Sequence, residues 1–90
     1  MFVGFATFDE NLSVIALIVN TETEEVRAQN KGTDESSQED AWNYIKDELT
    51  KIADQQGKRV VEGDIPLEAI LFARRYYPVK SAKRRGFLVV

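Results

Sequence analysis

Apolar and polar positions along this chain alternate between the period of a strand and the period of a helix. Residues 2–8 (Phe-Val-Gly-Phe-Ala-Thr-Phe) are aromatic and β-branched and too short for a helix, so they predict a strand. Asp9-Glu10-Asn11 is turn chemistry, and Leu12–Asn20 predicts a second strand whose apolar side chains fall on both faces. A strand apolar on both sides belongs in the middle of a sheet covered on both faces. After the turn Thr21–Glu24, the polar stretch Glu25–Asn30 predicts an edge strand. Ser36 with Glu39, or Ser37 with Asp40, then has the spacing of a capping box. The helix it opens, about 37–56, places Ala41, Trp42, Ile45, Leu49, Ile52 and Ala53 on one stripe and stops at Gly57. Tyr44 falls off that stripe and is expected at the surface, whereas Phe2, Phe5 and Phe8 are expected to fill the strand faces. Lys58–Glu62 predicts a short strand. Residues 67–76 suit either a helix or a strand by spacing, and their Leu, Glu, Ala and Arg content after Pro66 favours the helix. Phe87–Val90 closes the series as a last strand.

The expected fold is therefore α+β: one small domain over residues 1–90, a mixed five-stranded sheet with two helices in the order β-β-β-α-β-α-β. Two hairpins set the first three strands antiparallel. Right-handed helical crossovers would add the last two parallel, giving the sheet order 3-2-1-4-5. That order of elements resembles the ribonuclease H-like fold in abbreviated form, without the family's later helices. The resemblance is one of topology over most of the chain. It implies carboxylates on the first strand, the first helix and the fourth strand holding the metals that activate water. The nearest acids here are Asp9, Glu39 with Asp40, and Asp64, while the interior of the first strand reads Phe5-Ala6-Thr7-Phe8. The turn-and-cap reading of those acids, with no metal site, is the simpler one.

Charge changes the picture more than composition does. Residues 1–50 carry 11 Asp/Glu against 3 Lys/Arg, and residues 51–90 carry 4 against 9, so a net charge of −3 divides into −8 and +5. Six of the 12 cations lie between positions 74 and 85: Arg74, Arg75, Lys80, Lys83, Arg84 and Arg85, with Tyr76 and Tyr77 among them. Such a segment has three readings: a solvated connector, a phosphate-binding loop with a stacking tyrosine, or a grip on an acidic protein surface. In the expected topology the acids collect at one end of the sheet and the basic segment at the other.

Histidine and cysteine are absent, which removes histidine-based triads, thiolate nucleophiles and zinc sites built on those ligands. No glycine-rich phosphate loop occurs, since the five glycines are scattered singly. The N-terminus lacks a basic signal-peptide region and the longest apolar run, Val14–Val19, is too short to cross a bilayer, so a cytoplasmic protein with no membrane partner is expected. The expected function is a non-enzymatic binding or regulatory protein without a cofactor. It would offer the acids Glu22, Glu24, Glu25, Asp34, Glu35, Glu39, Asp40 and Asp47 to a basic protein partner. The alternative is sequence-tolerant nucleic-acid binding through the basic segment, and more remotely a metal-dependent nuclease. The exposed edge of the third strand leaves a homodimer open.

Overall fold

The computed structural model describes residues 1–79 and 84–90. The strands are β1 (Phe2–Phe8), β2 (Val14–Asn20), β3 (Val26–Gly32), β4 (Val60–Asp64) and β5 (Arg85–Val89), and the helices are α1 (Ser37–Gln56) and α2 (Leu67–Arg74). Their order along the chain is the expected one, and the fold is a small α+β domain. The sheet differs in one respect. Its strand order is β3-β2-β1-β5-β4, and every neighbouring pair is antiparallel, so it is not mixed and the order 3-2-1-4-5 does not form.

The reversal of the last two strands has a local cause. The chain leaves the sheet at the end of β4 and re-enters it beside that same end. The Ile65 N–H donates to the Arg84 carbonyl at 2.6 Å, and Asp64 pairs with Arg85 in the ladder. β4 and β5 are thus a wide hairpin with α2 inserted in its connection. β5 takes the inner position because its side chains are apolar on both faces, whereas β4 ends on exposed Glu62 and Asp64 and suits an edge.

The sheet is covered on both sides. On one face, Val14, Ala16 and Ile18 of β2 pack with Phe87 and Val89 of β5 against Ala41, Ile45, Leu49 and Ala53 of α1. On the other, Val3, Phe5, Ile15, Leu17 and Val19 pack against Ala69, Ile70 and Ala73 of α2 and against Ile65 just before it, with Val79 beside them. β2 serves both cores, as its uninterrupted apolar run requires.

Several boundaries shift for physical reasons. Leu12 lies in the β1–β2 turn, not in β2: Asp9 Oδ1 accepts from the N–H groups of Asn11 and Ser13 at 2.9 Å each, and Leu12 takes the left-handed backbone that closes this turn. The capping box does not form. Ser36 is the N-cap residue, but its hydroxyl donates to Asp40 Oδ2 at 3.2 Å, while the buried Ser37 hydroxyl donates to the Lys31 carbonyl and fastens α1 to β3. At the other end Gly57, at φ +63°, lets its own N–H and that of Lys58 return to the Ala53 carbonyl. Phe5 is buried and Phe2 half-buried, but Phe8 is 38% exposed. Tyr44 is half-buried, not exposed, because Lys31 Nζ lies 4.1 Å above its ring.

Candidate functional site

The reversed β5 decides where the charges lie. Entering the sheet beside the end of β4, it brings Arg85 to the acids expected at the opposite end of the molecule. Arg85 Nη2 donates to Glu62 Oε2 at 2.9 Å, and Nη1 lies 3.6 Å from Asp64 Oδ1. The hydrogen bond that Arg85 donates to Glu62 raises its pKa above the ordinary guanidinium value; partial desolvation opposes this, and the fields of Glu62 and Asp64 add to the rise. The expected separation into an acidic and a basic end is therefore corrected at Arg85.

The other candidate cations divide similarly. Arg84 aims Nε and Nη2 at the Ile65 carbonyl, at 3.2 and 2.9 Å, and so closes the neck of the β4–β5 connection. Arg75 pairs with Glu24 of the β2–β3 turn at 2.8 Å and lies over the Phe72 ring. Arg74 is exposed and has no ion-pair partner among the described residues. Tyr76 is 63% exposed, whereas Tyr77 packs on the α2 core. Lys80 and Lys83 lie outside the described residues.

The acids behave differently. Glu22 meets the N-terminal ammonium at 3.6 Å and Glu24 meets Arg75. Glu25, Asp34, Glu35, Glu39, Asp40 and Asp47 are exposed and have no cationic partner among the described residues. Most of them gather where β3 passes into α1. Because Ala41, Ile45, Leu49 and Ala53 face the sheet, Asp40, Asp47 and Asp54, seven residues apart, follow the outward side of the helix. Asp9, Glu39, Asp40 and Asp64 do not converge: no group of three or more potential metal ligands forms among the described residues. Asp9 closes a turn, Asp40 meets Ser36 and Asp64 faces Arg85.

One feature escaped the sequence. A hollow of about 410 Å³ opens on the α1 side of the sheet, floored by Ala6, Phe8 and Val14 and walled by Trp42, Glu62 and Arg85. Trp42 forms its wall with the indole set 4.4 Å from the Phe87 ring at a 49° tilt. The contributing residues come from five elements, so no local spacing announces the hollow; Phe8, at the exposed end of its strand, was the one available sign.

No protein-family model, curated protein or solved structure matches the chain. No helix among the described residues is long and apolar enough to cross a membrane.

Proposed function

We infer that the protein is a non-enzymatic binding module that docks on a basic protein surface through the outward side of α1 and the loop preceding it. The observation carrying this reading is the unequal fate of the arginines at 75, 84 and 85 and of the acids around α1. Arg75, Arg84 and Arg85 are held by internal partners, whereas Asp34, Glu35, Glu39, Asp40 and Asp47 remain exposed and unpaired among the described residues. Fixed acids on a rigid helix attract a cationic surface from a distance and set its orientation, while supplying few contacts that would hold a mismatched partner.

The test is affinity capture from the native host, with the wild-type chain beside a Glu39→Lys, Asp40→Lys, Asp47→Lys variant. A stoichiometric basic protein retained by the first and lost by the second supports the reading. Capture that ignores the reversal, or the finding of metal-dependent turnover, removes it.

A further inference from the structure

We propose that the outer edge of β3 pairs with the same edge of a second copy, joining two five-stranded sheets into one antiparallel sheet of ten. β3 is the last strand on its side of the sheet. Which of its backbone groups face outward follows from the ladder. The Asn20 N–H donates to the Glu25 carbonyl at 2.9 Å, and the Thr21 N–H donates to Met1, so the even residues of β2 bond β3 and the odd ones bond β1. Hydrogen-bonded pairs alternate in an antiparallel ladder. Arg27 and Gln29 therefore bond β2, and Val26, Ala28 and Asn30 turn their N–H and C=O groups away from it.

Three symmetric registers use these outward groups centrally, and charge separates them. Centring on Arg27 sets Arg27 against itself. Centring on Gln29 sets Arg27 against Lys31. Centring on Ala28 sets Ala28 against Ala28, Val26 against Asn30, Arg27 against neutral Gln29, and Glu25 against Lys31 twice. Only this last register pairs opposite charges and opposes no like ones. Ala28 and Asn30 are exposed, and the small Ala28 side chain lets the two strands meet at the axis. Lys31 is the extra residue of the β2–β3 bulge and points to the α1 face, where it lies over Tyr44; Glu25, just before β3 and bonded to Asn20, shares that face. The other edge lacks this match: β4 is shorter, and Glu62 and Asp64, two of its outward-facing residues, are acids already held by Arg85. A twofold through Ala28 closes on itself and stands perpendicular to the sheet, so the assembly stops at a dimer with both α1 helices on one face.

Light scattering coupled to size exclusion, over a range of concentrations, tests this directly. The wild-type mass should rise from 10.2 kDa towards twice that value. Ala28→Pro removes an N–H that β2 does not use and should remain monomeric with an unchanged circular dichroism spectrum. Glu25→Lys and Lys31→Glu should each weaken dimerisation by about tenfold, since each creates two like-charged contacts, and the double exchange should restore it. If Ala28→Pro does not fold, the charge exchange alone decides. A wild type that stays monomeric, a mass that grows beyond the dimer, a folded Ala28→Pro that still dimerises, or a double exchange no better than its singles overturns the proposal.

Discussion

Arg85 reaches diagonally across the β4–β5 ladder to Glu62 at 2.9 Å, and Asp64, its direct partner in the ladder, lies 3.6 Å from the same guanidinium. Because Arg85 is raised above its ordinary value, its contribution to stability is fully present below that value and is lost only in strongly alkaline solution. The difference in thermal midpoint between wild type and Arg85→Ala should therefore stay constant from about pH 6 to about pH 10. A difference that collapses inside that window would show that Arg85 is not held as described.

Internal pairing also limits any contact with nucleic acid. Of the described candidate cations only Arg74 lacks an internal partner; Lys80 and Lys83 lie outside the described residues, so the segment offers at most three cations to phosphates besides Arg75, Arg84 and Arg85. At roughly −0.7 in log–log salt slope per phosphate on a single strand, three cations give about −2. Fluorescence anisotropy with a labelled oligonucleotide should show no binding or a slope no steeper than this. A steeper slope would require Arg75, Arg84 or Arg85 to leave its partner, or cations outside the segment such as Arg27, Lys58 and Arg59 to join the contact.

Arg74 and Arg84 should differ sharply under the same substitution. Arg84→Ala strips two hydrogen bonds from the Ile65 carbonyl and should cost about 1–3 kcal/mol, the range for a charged donor to a partly buried acceptor. Arg74→Ala should lie within about 0.5 kcal/mol of wild type, as exposed positions do. Urea unfolding of the two variants measures both; equal costs would contradict the assigned contacts.

In the core, Leu49 is fully buried between α1 and the sheet, and Leu49→Ala should cost about 2–5 kcal/mol. Gly86→Ala should be similarly severe for another reason. A methyl group there would meet the Gly4 carbonyl oxygen of the adjoining strand, and backbone cannot turn aside as a side chain can. Gly57→Ala meets no neighbour and carries only its left-handed backbone, about 1 kcal/mol. Denaturation midpoints that ranked Gly57→Ala as the worst of the three would refute this account of the packing.

The legible part of the fold was whatever a local period determines. The span of α1 follows from its apolar stripe and Gly57, and the central place of β2 follows from its unbroken apolar run. The direction of β5 was not legible, because it depends on Arg84 and Ile65 meeting across nineteen positions, which no local pattern encodes. That single contact moved Arg85 from a presumed basic end to Glu62 and Asp64. The acids of the α1 surface were legible because solvent, not a distant partner, satisfies them.

The insertion of β5 between β1 and β4 also constrains the order in which the molecule can be completed. While a chain emerges from a ribosome, β1, β2, β3 and α1 are available early, yet β1 keeps one side unoccupied and α1 lacks Phe87 and Val89 beneath it. Residues 85–89 fill that slot after the other four strands have been made, so this long-range closure waits until that stretch has emerged. Until then the nascent chain exposes the inner edge of β1, the apolar strand edge most open to a wrong neighbour.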